Sequence, residues 1–182
     1  MNLPNKLTIL RVVLIPFFVA ALLIDFPSHI FVAITFFSAA AITDWFDGKI
    51  ARERGIVTNF GKFLDPLADK MLVMSALVCM TAIGWCDPAA VIIILAREFM
   101  VSGLRLVTAG EGVVVAAGMW GKVKTAVTLF AVIAIMTFEA FFAPNDILYY
   151  VNEVLVWISA VLTIISGGVY VREYWAYIDP RK

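Results

Sequence analysis

Six long apolar stretches run through the 182-residue sequence, and they restrict its fold more than any other feature. A helix that crosses the hydrocarbon core of a bilayer needs about 20 mostly apolar residues. The apolar content of 63% is also well above the roughly 45–50% that is typical of a soluble domain. The sequence therefore predicts an all-α, polytopic membrane protein that forms a single domain over residues 1–182. The six predicted transmembrane helices cover about residues 6–25, 29–52, 61–84, 88–110, 120–143 and 146–175.

Lysine and arginine are distributed unequally between the connections of these helices. The connections near residues 25–28, 84–88 and 143–146 contain neither residue type, whereas the connection from 49 to 62 contains four such residues. Basic residues near membrane spans stay preferentially on the cytoplasmic side. We therefore expect both termini and the segment 44–69 to face the cytoplasm.

Two pairs of aspartates lie at the predicted cytoplasmic ends of the second and third helices: Asp44 with Asp47, and Asp65 with Asp69. Spacings of three and four residues place each pair on one helical face. Converging carboxylates repel each other, and divalent cations relieve that repulsion. Ligand sets made only of oxygen favour Mg²⁺, Mn²⁺ or Ca²⁺ over zinc. If the two faces meet, they could hold two ions at the roughly 3.5–4 Å separation of phosphoryl-transfer sites.

Small residues follow the first aspartate pair. Gly48 and Ala51 would let a ligand or a neighbouring backbone approach closely, and Arg52 can clamp phosphate oxygens. The alternative is that the aspartates are interfacial carboxylates that pair with Lys49, Arg52 and Lys62. Surface ion pairs, however, require neither two pairs on shared faces nor spaced small residues.

The pattern Asp44-x-x-Asp47-Gly48-x-x-Ala51-Arg52, then eight residues, then Gly61-x-x-x-Asp65-x-x-x-Asp69 resembles the motif of the CDP-alcohol phosphotransferase family. The resemblance implies a six-helix membrane enzyme, usually a homodimer, in which an alcohol displaces CMP from a CDP-linked donor. It implies that all four aspartates bind two metal ions, Mg²⁺ or Mn²⁺, and that Asp69 also takes the proton of the alcohol. It further implies a CDP pocket formed by Gly48, Ala51, Arg52 and Gly61.

Three segments outside this motif narrow the resemblance to bacterial members of the family. They are PNKLTILR at 4–11, AREFMVSGLR at 96–105 and GKVKT at 121–125. The resemblance implies CDP-diacylglycerol as donor and glycerol 3-phosphate as acceptor, with phosphatidylglycerophosphate and CMP as products. It also implies a role in phospholipid biosynthesis in the inner membrane, with the active site facing the cytoplasm.

Four cations in the last two of these segments suit an acceptor that carries its own phosphate: Arg97, Arg105, Lys122 and Lys124. Arg97 lies well inside a predicted span, where an unpaired guanidinium is costly. We expect Glu98 to point in a different helical direction, so that the partner of Arg97 would be the acceptor. The alternative is that Arg97 pairs with Glu98 or Glu139, and that the lysines serve membrane topology.

Two other functions stay open at the level of the sequence. Another family member, such as a phosphatidylserine or cardiolipin synthase, would use a different acceptor. A divalent-cation transporter would place its carboxylates near the bilayer midplane, whereas these aspartates fall at the ends of predicted spans. The formal net charge of zero gives no bulk attraction to nucleic acid, and we expect no such partner.

Overall fold

The computed structural model of the chain describes residues 3–54, 59–110 and 118–178. The side chains of residues 3, 4, 44–54, 59–63, 66, 176 and 178 lie outside this description. The described elements are all helical: α1 (Leu3–Leu23), α2 (His29–Arg54), α3 (Asn59–Ala82), α4 (Pro88–Gly110), α5 (Met119–Phe141), α6 (Asp146–Glu173) and α7 (Trp175–Ile178). The predicted all-α class is confirmed, and the ends of α1 to α6 fall within three residues of the predicted ranges.

Three of the described helices are long and apolar enough to cross a bilayer: Asn5–Leu23, Met119–Phe141 and Asp146–Glu173. A shorter apolar stretch, His29–Thr43, forms the first part of α2. These helices make the chain a membrane protein. The predicted count of six spans and the cytoplasmic position of both termini stay predictions.

Local sequence signals account for several helix ends. The carboxylate of Asp87 accepts a hydrogen bond from the backbone N–H of Ala89 at 2.8 Å, and Pro88 occupies the first position of α4. Both features are typical of helix starts, where backbone N–H groups have no partner within the helix. The side chain of Asn145 caps α6 in the same way. Gly84 adopts a φ of 80° just after α3, a conformation that favours glycine.

The chain divides into two compact units, and residues 1–83 with 132–144 form the first. Within it α1 packs against α2 and α3, and α2 also contacts α3. The rings of Phe18 and Phe37 are fully buried, with their centroids 5.3 Å apart. Ala33 and Ala40 on α2 are also fully buried. Small residues of this kind let helix backbones approach closely in membrane proteins.

Residues 84–131 with 145–182 form the second unit, in which α4 packs against α6 and α7. The buried face of α6 includes the small residues Ser159, Ala160, Ser166 and Gly167. A Cβ atom at position 167 would lie only 3.0 Å from Cγ of Arg97. A larger residue at position 167 would therefore press on the Arg97 side chain where it lies against α6. The predicted single domain over residues 1–182 stays a prediction.

Replacing Ala21 by leucine should destabilise the first unit, because Ala21 is 5% exposed and the larger side chain would overpack its surroundings. Overpacking of this kind costs about 1–3 kcal/mol. The neighbouring Ala20 is exposed and provides a matched control. Thermal unfolding of the purified variants in detergent should show a lower midpoint for Ala21→Leu than for Ala20→Leu. Equal midpoints for the two variants would contradict the described packing of α1.

Candidate active site

The four predicted aspartates all lie on helices of the first unit. Asp44 and Asp47 belong to the second half of α2, and Asp65 and Asp69 to the first half of α3. α2 and α3 contact each other, as the prediction of a shared site requires. The side chains of six predicted site residues lie outside the described residues, although their helices are described: Asp44, Asp47, Gly48, Ala51, Arg52 and Gly61.

Asp65 is held by a residue of α1. The hydroxyl of Thr8 donates a hydrogen bond of 2.6 Å to Oδ1 of Asp65. Thr8 is 1% exposed and belongs to a row of buried polar residues on α1 with Asn5 and Arg11, at intervals of three residues. Because of this spacing, the three polar side chains lie on the buried side of α1. One of them, Thr8, orients Asp65.

The orientation of the Asp65 carboxylate suits it to bind a cation. A carboxylate offers about four lone-pair positions, so one accepted hydrogen bond leaves further positions for a metal ion. Carboxylates that bind metals are commonly oriented by such hydrogen bonds. Asp69 lies one helical turn after Asp65 and is partly buried as well. Among the side chains that the structure describes, which exclude Asp44 and Asp47, no group of three or more potential metal ligands occurs.

In the second unit, two of the predicted cations share one carboxylate. Nη1 of Arg97 donates to Oε1 of Glu98 at 3.1 Å, and Nζ of Lys124 pairs with the same oxygen. Nη2 of Arg97 also donates to the hydroxyl of Ser166 at 2.6 Å. The expectation that Glu98 points away from Arg97 is therefore wrong. Successive residues differ by about 100° around a helix, but the long arginine side chain spans that difference. The alternative pairing of Arg97 with Glu98 is confirmed.

Among the described ion pairs of this group, one carboxylate meets two cations. Arg97 is 7% exposed and Lys124 is 8% exposed, and together they bring two positive charges to one negative charge. In the described part of the chain, Nε of Arg97 has no hydrogen-bond acceptor. A buried group with surplus positive charge and a spare donor can accept an anion.

Arg105 is positioned by a tyrosine of α6. Its Nη2 donates to the hydroxyl oxygen of Tyr170 at 3.0 Å, and the backbone N–H of Gly118 donates to the same oxygen at 2.8 Å. The guanidinium carbons of Arg97 and Arg105 lie 5.4 and 5.5 Å from the centroid of the Tyr170 ring. Both distances are within the range of cation–π attraction. The described structure therefore brings Arg97, Lys124 and Arg105 together.

Lys122 differs from Lys124 in its environment. Lys122 is exposed, whereas Lys124 is buried and bound to Glu98. Two residues along a helix differ by about 200° in direction, so the two lysines leave α5 on different faces. Position in the sequence did not predict which lysine would face inward.

Sequence reasoning missed Ser166 and Tyr170. A signal was available, because the two residues lie four positions apart in an otherwise apolar helix and therefore share a face. Ser159 and Thr163 extend the same polar row, and all four residues are buried. A row of polar residues on one face of an apolar helix indicates a protein-facing or functional surface.

The sequence model of the CDP-alcohol phosphatidyltransferase family matches residues 1–165. The chain belongs to this family, as the aspartate motif predicts.

Three curated relatives share the name CDP-diacylglycerol–glycerol-3-phosphate 3-phosphatidyltransferase. The relative from Bacillus subtilis is 41% identical over 96% of this chain and 95% of its own length. The relative from Rickettsia bellii is 40% identical over 97% of both chains. The relative from Haemophilus influenzae is 38% identical over 91% of this chain and 89% of its own.

Glu98→Gln should destabilise the protein, because it removes the only negative charge of the Arg97–Glu98–Lys124 group among the described contacts. Breaking a buried ion pair from one side typically costs about 3–5 kcal/mol. The retained amide oxygen favours the lower end of that range. Glu173→Gln is the control, since Glu173 is exposed at the end of α6. A thermal midpoint of Glu98→Gln equal to that of Glu173→Gln would show that Glu98 does not stabilise the two cations.

Proposed function

We propose that this protein transfers the phosphatidyl group of CDP-diacylglycerol to glycerol 3-phosphate, forming phosphatidylglycerophosphate and releasing CMP. The observation that carries the proposal is the similarity over nearly the whole chain to relatives named for this reaction. The buried surplus of positive charge at Arg97 and Lys124 supports it from the structure. Glycerol 3-phosphate brings a phosphate, whereas an acceptor such as serine does not.

The residues proposed to hold the metal ions, two Mg²⁺ or Mn²⁺, are Asp44, Asp47, Asp65 and Asp69. Asp65 fits this role, because Thr8 orients one of its oxygens and further lone pairs stay available. Such ions, when bound, would stabilise negative charge that develops on the leaving CMP. Gly48, Ala51, Arg52 and Gly61 are proposed to bind the CDP group, with Arg52 contributing charge to its phosphates.

Asp69 is proposed as the general base. It would accept the proton of the acceptor hydroxyl, and the resulting oxygen would attack the phosphorus that carries diacylglycerol. The bond between that phosphorus and the oxygen of CMP would then break. A proton acceptor placed in this way contributes about 10²–10⁴-fold to a rate. The partial burial of Asp69 on α3, one turn from Asp65, is compatible with a residue that serves both the ions and the alcohol.

The phosphate of the acceptor is proposed to bind to Arg97, Arg105, Lys122 and Lys124. Arg97 and Lys124 already share Glu98, so they contribute mainly through their surplus charge. Arg105 and Lys122 contribute in another way. Nε of Arg105 has no acceptor in the described part of the chain, and Lys122 is exposed. These two side chains have donors available for a charged ligand.

The location and assembly of the protein are part of the same proposal. CDP-diacylglycerol would enter from the inner leaflet of the cytoplasmic membrane, with its acyl chains remaining in the bilayer. The active site would face the cytoplasm, from which the water-soluble glycerol 3-phosphate would enter. The active form would be a homodimer, and the product would feed phosphatidylglycerol synthesis.

The activity can be tested with purified protein in lipid micelles that contain CDP-diacylglycerol, one acceptor at a time. CMP release should occur with glycerol 3-phosphate, and excess EDTA should abolish it until Mg²⁺ or Mn²⁺ is added back. Asp69→Asn should lower turnover by about 10²–10⁴-fold while binding of CDP-diacylglycerol survives. The amide keeps the size of the carboxylate but cannot accept the proton.

Other outcomes of this assay would contradict the proposal. CMP release with serine or phosphatidylglycerol, and none with glycerol 3-phosphate, would assign a different acceptor. Full activity in excess EDTA would exclude a role for divalent ions. Metal flux into liposomes without CMP release would instead favour a cation transporter.

Arg105→Ala should raise the KM for glycerol 3-phosphate far more than the KM for CDP-diacylglycerol. A lost hydrogen bond to a charged group costs about 1.5–3 kcal/mol, which corresponds to roughly 10–150-fold. Arg172→Ala is the matched control, because Arg172 is exposed on α6. Equal increases in both KM values, in a folded Arg105→Ala variant, would show that Arg105 is structural.

A further inference from the structure

The side chain of Tyr170 contacts both arginines of α4, Arg97 and Arg105. Arg97 and Arg105 are eight residues apart, so their Cα atoms are separated by about 12 Å along the helix. Their guanidinium carbons nevertheless both lie within 5.5 Å of the centroid of one ring. Tyr170 is only 3% exposed, and Tyr174 stacks on it with centroids 6.4 Å apart. The ring is therefore buried, with Tyr174 stacked on it and both guanidinium groups near it.

The hydroxyl of Tyr170 fixes one of these arginines directly. Its oxygen accepts hydrogen bonds from Nη2 of Arg105 and from the backbone N–H of Gly118, at 3.0 and 2.8 Å. Gly118 immediately precedes α5, so the same oxygen joins α6 to the start of the helix that carries Lys122 and Lys124. One atom thereby sets the position of Arg105 relative to the first turn of α5.

Two glycines allow this arrangement. A Cβ atom at Gly121 would lie 3.2 Å from the Tyr170 hydroxyl and 3.4 Å from a ring carbon. A Cβ atom at Gly167 would lie 3.0 Å from Cγ of Arg97. A larger residue at either position would displace the tyrosine or the arginine. Gly121 on α5 thus leaves space for the side chain of Tyr170, and Gly167 on α6 leaves space for the side chain of Arg97.

We propose that Tyr170 is a positioning residue that holds Arg105 and Arg97 in place for the phosphate of the acceptor. The inference rests on the proposed function, because it assigns a role in binding glycerol 3-phosphate. Two guanidinium groups near each other repel, and the negative face of the ring offsets part of that repulsion. The hydroxyl leaves Nε of Arg105 without an acceptor among the described residues, so that atom is available to an anion. Tyr170 therefore acts through the arginines.

Tyr170→Phe separates the role of the hydroxyl from that of the ring, because it retains the ring and removes the oxygen that accepts from Arg105 and from the backbone N–H of Gly118. We expect the KM for glycerol 3-phosphate to rise about 10-fold, as for loss of a hydrogen bond to a charged group. The inhibition constant of inorganic phosphate, measured against glycerol 3-phosphate, should rise in parallel. The KM for CDP-diacylglycerol should change by less than about 2-fold. Tyr177→Phe is the matched control, since Tyr177 is 41% exposed.

A second variant tests the same inference if Tyr170→Phe folds poorly. Gly121→Ala retains the hydroxyl but places a methyl group 3.2 Å from it, so that the hydroxyl must move. Gly121→Ala should also raise the KM for glycerol 3-phosphate and the inhibition constant of inorganic phosphate. Gly168→Ala is its control, because a Cβ atom at Gly168 meets nothing within 4 Å. Thermal unfolding of all four variants identifies those that are folded.

The outcomes separate this inference from the proposed function. If the wild-type enzyme does not use glycerol 3-phosphate, the proposed function fails and the role of Tyr170 fails with it. Suppose that the wild-type enzyme is active and that the folded Tyr170→Phe variant keeps the KM for glycerol 3-phosphate and the inhibition constant of inorganic phosphate unchanged. The proposed function then stands, and the positioning role of Tyr170 is wrong. Equal increases in both KM values would make Tyr170 a structural residue only. A selective rise for glycerol 3-phosphate and inorganic phosphate supports the inference.

Discussion

A charge that is buried in an apolar protein requires an opposite charge or a set of hydrogen bonds, and much of the second unit follows from this requirement. The side chain of Arg97 is met by Glu98 on its own helix and by Ser166 on α6. Lys124 of α5 reaches the same carboxylate. One carboxylate therefore organises side chains of two helices, and small residues on α6 give them room. Among the side chains that the structure describes, two cations of this group meet one carboxylate.

In the first unit, the motif aspartates bring carboxylates instead of cations. Its helices α2 and α3 contain the four motif aspartates, and α1 supplies the hydroxyl that orients Asp65. A hydroxyl orients a carboxylate without neutralising it, so the negative charge persists. Each unit thus holds a group of charged residues whose balance a ligand could complete: divalent cations for the aspartates, and a phosphate for the arginines and lysines. These are the ligands that a phosphatidyl transfer to glycerol 3-phosphate would bring.

The helices could be predicted closely because their ends depend on local chemistry. Pro88 and Asn145 mark helix starts and Gly84 marks a turn, and each acts through its own backbone or its nearest neighbours. The family could be predicted for the same reason, since the spacing of the aspartate motif is a property of one segment. The partner of Arg97 could not, because helical direction alone ignores the reach of a long side chain. Tyr170 was missed because it contacts Arg105, 65 residues away in the sequence.

The contrast between Lys122 and Lys124 shows where sequence reasoning about charge ends. Basic residues near a membrane surface satisfy topology whichever way they face, so the sequence alone could not separate a buried lysine from an exposed one. The fold separates them, because Lys124 is buried and pairs with Glu98, whereas Lys122 is exposed. Lysines two residues apart thereby serve different purposes: one lowers the cost of burying Glu98, and the other stays exposed with its charge available. A charge motif in a membrane helix therefore predicts ligand binding only after the internal pairs are known.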